Sequence, residues 1–273
     1  MPELITSRKN EMVKRAAGLL SSSEFRREQG LFLAEGARLC SDAALSGVKI
    51  HILFYTAQAA EKYGGYFNRI QPVAEQVYEL EPHVAELLSD TKNPQGIFCV
   101  CRMTDALHTT EQIKLGRHYL ALENIQDPAN LGAVLRTAEA LGIGGVILAG
   151  KCCDVYSPKV LRASMGAVFR IPFYISDEMP SAIHQLNQLG FVTLAAVPDS
   201  SAQKVTELDF RNPAVIAVGN EGNGLTEQAI RACTKSVTIP MVGRAESLNA
   251  SASAAILMWE MMRCKSGGIS NGS

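Results

Sequence analysis

The sequence predicts an α/β protein of two domains, the larger one built on a parallel sheet. Three observations carry this prediction. From Tyr119 onward, short continuous apolar runs alternate with amphipathic helical stretches, the pattern of strands buried on both faces and joined by crossover helices. The 273 residues exceed one small module and suit one large or two ordinary domains. With 47% hydrophobic and 19% charged residues, a substantial core is available and wholesale disorder is excluded.

In chain order, Ala37 to Ala44 has the period of a helix, while Lys49 to Tyr55 and Gly96 to Cys101 have the composition of strands. Residues 1–103 therefore form a first α/β domain. The stretch 104–116 is polar and aperiodic, and is expected to be a linker. Residues 117–265 hold the runs YLAL, GVILA, FYI, FVTLAAV, AVIAVG and SVTIP, which are expected to be the strands of the parallel sheet. The polar end 266–273, SGGISNGS with its first Ser, is expected to be a flexible tail. One helix is well delimited: Asp127 suits the N-cap, Pro128 the first turn, and Gly142 the position just past the end. Leu131, Val134, Leu135, Ala138 and Leu141 share one face of it, and Arg136 points away from that stripe.

Lys+Arg 26 against Asp+Glu 27 leaves a net charge of −1, which excludes a polycationic nucleic-acid coat protein but not a local basic patch. No apolar run reaches bilayer length, and MPELITSRKNEMVKRAAGLL lacks the apolar region of a signal peptide, so a cytoplasmic protein without membrane contact is expected. Seven irregularly spaced cysteines build neither a disulfide framework nor zinc knuckles, and no His/Asp/Glu cluster has metal-ligand spacing.

Two loops could carry chemistry. Ala217 to Leu225, AVGNEGNGL, leaves a buried strand through Gly219, Gly222 and Gly224 and enters a helix near Thr226. Such a loop lies at the carboxyl end of its strand, where ligands bind in open α/β sheets. An ordinary glycine-rich turn explains it equally well. It is neither a Walker A loop nor a GxGxxG fingerprint, and Gly142, Gly144 and Gly145 precede their strand, so a dinucleotide-dependent oxidoreductase fails on motif placement. The second segment, Ile239 to Glu260, leaves a strand expected to end at Pro240 and enters a helix of small residues expected to begin near Ser247; Ser247 and Asn249 suit either capping or a polar ligand.

Taken together, three segments resemble the signature set of the SpoU-type RNA 2′-O-ribose methyltransferases of the SPOUT superfamily. They are ENIQDPANLGAVLRTAEALGIGGVIL, VGNEGNGL and IPMVGRAESLNASASAAI, with SPKVLRASMGAVFRIPF similar to the family's middle segment. RREQGLFLAEGARL and TKNPQGIFCVC resemble the L30e-like substrate-binding domain that many of these enzymes carry. The resemblance implies a deep trefoil knot in the parallel-sheet domain, a smaller L30e-like N-terminal domain, and a homodimer formed through the knotted domain with Trp259 and Met262 as candidate anchors. It implies S-adenosylmethionine as cofactor, held by Gly219, Asn220, Gly224, Leu225, Ile239, Met241, Leu248 and Asn249, and no metal. Arg136 would orient the reacting hydroxyl and stabilise the developing alkoxide, positioned with Asn130, Glu221, Ser247 and Asn249. RNA, most plausibly 23S ribosomal RNA, would be held by Arg8, Lys9, Arg26, Arg27, Arg136 and Arg162. The same basic pairs suit plain surface charge. A non-catalytic RNA-binding assembly or resistance factor, and a transfer-RNA ribose methyltransferase, are the alternatives.

Overall fold

The computed structural model describes residues 2–104 and 112–263. The chain divides into two compact units, one of Met1–Ala106 with Asp154–Arg170 and the other of Leu107–Cys153 with Ile171–Ser273. Most of the expected linker, and the whole of the expected tail, fall outside the described residues.

The first unit is built on five strands: β1 (Glu3–Ile5), β2 (Leu31–Glu35), β3 (Ile50–Tyr55), β4 (Ala74–Leu80) and β5 (Ile97–Arg102). Their order is β1-β4-β3-β5-β2; only β5 runs against its neighbours. Helices α1 (Glu11–Ser21), α2 (Ser23–Gln29) and α3 (Ala37–Leu45) pack beside the sheet, with Val13, Ala16 and Leu19 of α1 in a core that includes Phe54, Phe98 and Val100. Two short helices, α4 (Ala57–Lys62) and α5 (Gly64–Ile70), connect β3 to β4, and α6 (Pro82–Ala85) follows β4. β4 has no apolar run because, apart from Leu80, its side chains are only partly buried or exposed, and the sequence pattern accordingly missed it.

The second unit holds a sheet of seven parallel strands: β6 (Tyr119–Glu123), β7 (Val146–Ala149), β8 (Phe173–Ser176), β9 (Val192–Ala196), β10 (Gln203–Lys204), β11 (Ala214–Val218) and β12 (Lys235–Thr238). Their order is β10-β12-β9-β11-β6-β7-β8. The chain moves outward from β6 through β7 to β8, then returns to lay β9, β11 and β12 on the other side of β6. That reversal of strand order opens a crevice at the carboxyl ends. The helices are α7 (Pro128–Ala140), α9 (Met179–Gln188), α10 (Glu227–Ala232) and α11 (Ala250–Arg263). Asp127 caps α7 through the Ala129 N–H at 2.9 Å, and Leu131, Val134, Leu135 and Ala138 are buried as the period requires.

The spatial division departs from the linear expectation 117–265 in one place. Asp154–Arg170, which contains α8 (Pro158–Ser164), packs with the first unit. Tyr156 stacks on Phe32 with ring centroids 4.7 Å apart, and Phe169 lies on the same ring at 6.0 Å. Asp154 accepts hydrogen bonds from Arg26 at 2.7 and 2.6 Å, and the same guanidinium donates to the Leu19 and Leu20 carbonyls. A stretch that resembles a signature of one unit is thus part of the core of the other.

Candidate active site

A cavity of about 560 Å³ opens at the carboxyl ends of β9, β11 and β12, three neighbouring strands. One wall is the loop Gly219–Leu225. It folds back on itself: Asn220 and Gly224 form a bridge, and the Asn220 carboxamide oxygen accepts the Gly222 and Asn223 N–H groups at 3.1 and 2.7 Å. The turn is so tight that a Cβ on Gly219 would sit 1.9 Å from the carbonyl carbon of Gly224. Only glycine fits there. Gly224 itself has φ +67°, the left-handed region that glycine enters without strain.

The loop is pinned where it meets α10 by Glu123, the last residue of β6. This carboxylate is 4% exposed and accepts the Thr226 N–H at 2.8 Å and the Thr226 hydroxyl at 3.0 Å, while Thr226 caps the Ala229 N–H. A buried carboxylate must be bonded to be tolerated, and here the bonds fix the exit of the loop. Sequence reasoning placed the helix start at Thr226 but missed Glu123 and its pairing with Thr226. They lie 103 positions apart, and a Glu ending an apolar run gives no local signal.

The opposite wall is Ile239 and Met241 with Ser247 and Leu248. Residues 240–249 are exposed along their whole length, and among the described residues no side chain of 241–248 makes a hydrogen bond. The helix expected to begin near Ser247 starts at Ala250 instead. Asn249 is the reason: its side-chain oxygen accepts the Ser251 and Ala252 N–H groups at 2.9 and 3.3 Å, so it caps the helix from outside, leaving Ser247 and Leu248 as extended wall.

Of the expected cofactor contacts, Gly219, Asn220, Gly224, Leu225, Ile239, Met241 and Leu248 line this one cavity; Asn249 does not. Glu221 and Ser247 line it too. Asn130, on the first turns of α7, donates to the Glu221 carboxylate and accepts from the Asn249 amide at 3.1 Å. Arg136 is placed differently. It lies on the exposed face of α7, outside the cavity lining, with no side-chain partner among the described residues. On the rim of the cavity, the Asp199 carboxyl is held below the usual carboxylate range by the Ser201 N–H, 2.8 Å away, and by the Ser201 hydroxyl.

Among the expected RNA contacts, Arg8, Lys9 and Arg27 are exposed. Arg26 is not: at 4% exposure, with its guanidinium bonded to Asp154 and two carbonyls, it is an internal tie and corrects the expectation of a free surface cation. Arg162 is half-exposed and paired with Asp90 at 2.8 Å. Among the described residues no helix is long and apolar enough to cross a membrane, and no His/Cys/Asp/Glu group could hold a metal ion.

A parallel sheet with a cavity at the carboxyl ends of its strands, beside a reversal of strand order, defines an α/β protein with the usual place for a small-molecule site. More particularly, the chain belongs to the SpoU rRNA Methylase family, whose model matches residues 117–259; residues 10–99 match the MRM3-like substrate binding domain. It is 30% identical over 261 residues to the 23S rRNA (guanosine(2553)-2′-O)-methyltransferase RlmP of Bacillus subtilis, covering 94% of this chain and 98% of that one. It is also 30% identical to the 23S rRNA (uridine(2479)-2′-O)-methyltransferase of Streptomyces viridochromogenes, covering 95% and 91%. Among solved structures, the AdoMet-bound rRNA methyltransferase of Sinorhizobium meliloti superimposes with a TM-score of 0.84 at 30% identity, over 96% of this chain and 97% of that one.

Proposed function

We propose that this chain transfers a methyl group from S-adenosylmethionine to a ribose 2′-hydroxyl of 23S ribosomal RNA, working as a homodimer in the cytoplasm. One observation carries the reading: the chain Asn249–Asn130–Glu221 ties the three signature segments into a single site around one cavity. The cavity suits the cofactor: its volume of about 560 Å³ lies within the range of small-ligand sites, and its lining combines apolar side chains such as Leu225, Ile239 and Leu248 with the polar Asn220, Glu221 and Ser247. The relatives and the structural neighbour, named as 23S rRNA 2′-O-methyltransferases and as an AdoMet-bound rRNA methyltransferase, support the same assignment.

When bound, the cofactor supplies a methyl group on a sulfonium, an electrophile that needs no further activation. The work left to the chain is placement. Gly219, Ile239, Met241 and Leu248 would hold the cofactor through backbone groups, and Asn130 ties Glu221, on the cavity wall, to Asn249. The reacting oxygen has to come within about 3–3.5 Å of the methyl carbon and in line with it. Arg136, without a side-chain partner among the described residues, orients that hydroxyl or the adjacent phosphate and stabilises negative charge as it develops on the oxygen. A guanidinium offers hydrogen-bond donors and no acceptor, so stabilisation is the role assigned. Because Arg136 does not line the cavity of its own chain, it serves a site completed by a second copy, with the segment before α11 threaded as in the knotted family.

The test is methyl transfer from labelled cofactor into ribosomal and transfer RNA, followed by mapping of the product. Label at one ribose of 23S rRNA is the expected result. Label confined to a base or to transfer RNA would replace the assignment, and tight RNA binding without transfer would favour an occupancy factor. Mixed dimers of Arg136→Ala and a cavity-dead chain should recover activity if the site is shared between copies.

A further inference from the structure

We propose that Asp199 sets the preference of the methyl-transfer cavity for the charged cofactor over its spent, neutral product. The inference rests on the S-adenosylmethionine reading above and gives a role to a residue that reading leaves unused. Among the described residues that line the cavity, Asp199 and Glu221 are the charged ones, and no Lys, Arg or His takes part. Both come from the same end of the sheet. Strands β9 and β11 are parallel neighbours paired through Ala195 and Ala217, and each carboxylate lies three residues past the end of its strand, Ala196 or Val218. The fold thus delivers two like charges to one cavity from adjacent loops.

The two carboxylates are not equivalent. Glu221 accepts from the Asn130 carboxamide and is thereby tied to α7. Asp199 is held by its own turn: its carboxylate accepts the Ser201 N–H at 2.8 Å, and its carbonyl accepts the Ala202 N–H at 3.1 Å. The bonds from Ser201 hold the carboxyl below the usual range, so it stays ionised at neutral pH. Neither group pairs with a basic side chain among the described residues. Charge of one sign left in a cleft raises the local concentration of the opposite sign.

The reaction itself changes that charge. S-adenosylmethionine carries a sulfonium and an ammonium against one carboxylate, a net positive charge, and loss of the methyl leaves a neutral thioether. Cofactor and product otherwise share every group. A lining of neutral groups could tell them apart by one methyl, a difference that pockets read weakly. An acidic lining tells them apart by charge. Turnover therefore removes the attraction that drew the cofactor in, which favours exchange of product for the next cofactor. Asp199 is exposed, so its effect is modest and is screened by salt.

The test is calorimetric titration of the full chain with three ligands: S-adenosylmethionine, S-adenosylhomocysteine and sinefungin. In sinefungin an amine-bearing carbon replaces the methylated sulfur and keeps the positive charge. Asp199→Asn retains an acceptor for the Ser201 N–H and removes the carboxylate charge. At low salt it should weaken S-adenosylmethionine and sinefungin roughly three- to tenfold, and by less at about 0.5 M salt, with S-adenosylhomocysteine within about twofold of wild type. Asp209→Asn removes an exposed carboxylate of the same unit that lies outside the cavity lining, and should leave all three affinities unchanged. If the three affinities of Asp199→Asn fall together, Asp199 contacts a part that all three ligands share; if none falls, it is a bystander. Either result overturns the inference and leaves the methyltransferase reading standing. Wild-type protein that binds none of the three overturns both.

Discussion

Two arginines, one in each unit, are used in opposite ways. In the first, Arg26 is buried, bonded to Asp154 and to two carbonyls, and serves the fold. In the second, Arg136 stands on an exposed helix face with no side-chain partner among the described residues. Both look like surface cations in the sequence. Burying a charge is tolerated only when it is fully paired, whereas a group meant to meet a substrate has to be left unsatisfied until the substrate arrives. Loss of Arg26 should therefore appear as lost stability, and loss of Arg136 as lost function.

The sharpest break is Gly219→Ala. The added methyl would overlap the Gly224 backbone, so the loop cannot close. Cofactor binding by calorimetry should fall beyond detection while the circular dichroism of the sheet persists. Normal binding would show that the wall yields, and that its tightness is not what forms the site. Next comes Arg26→Ala, which strands Asp154 in the interior and should cost about 3–5 kcal/mol in denaturant unfolding. Its neighbour Arg27→Ala, exposed, should stay within about 0.5 kcal/mol. Equal effects at the two positions would erase the distinction between tied and free arginines.

Arg136→Ala reverses the pattern. Stability should change by less than about 1 kcal/mol and cofactor affinity should hold, but single-turnover methylation should drop roughly a hundredfold. Lysine keeps the charge without the planar fork and should rescue only in part. Near-normal turnover in Arg136→Ala would remove this residue from the chemistry. The smallest effect sharpens the comparison, because Glu123 belongs to both categories: it is buried and bonded, yet it anchors a wall of the cavity. Glu123→Gln retains the shape but weakens two charge-assisted bonds, for about 1–2 kcal/mol of stability and a several-fold loss of cofactor affinity. A loss of stability with unchanged affinity would make Glu123 a purely structural residue.

Much of this protein was legible in the sequence because the relevant physics is local. Continuous apolar runs marked β6, β7, β9 and β11, since a strand covered on both faces has no polar side to show. Asp127 and Pro128 announced the start of α7 because a helix end needs its N–H groups satisfied. Gly219 and Gly224 were picked out as positions where the backbone turns hard. Other features were decided by tertiary structure alone. Arg26 meets Asp154 across 128 positions, Glu123 meets Thr226 across 103, and Asn130 meets Glu221 across 91. Spacing along a chain reports which residues share a face of one helix or strand. It carries nothing about which charge will find which partner once distant segments fold together, and that pairing decided which residues hold this protein together and which are left free to act.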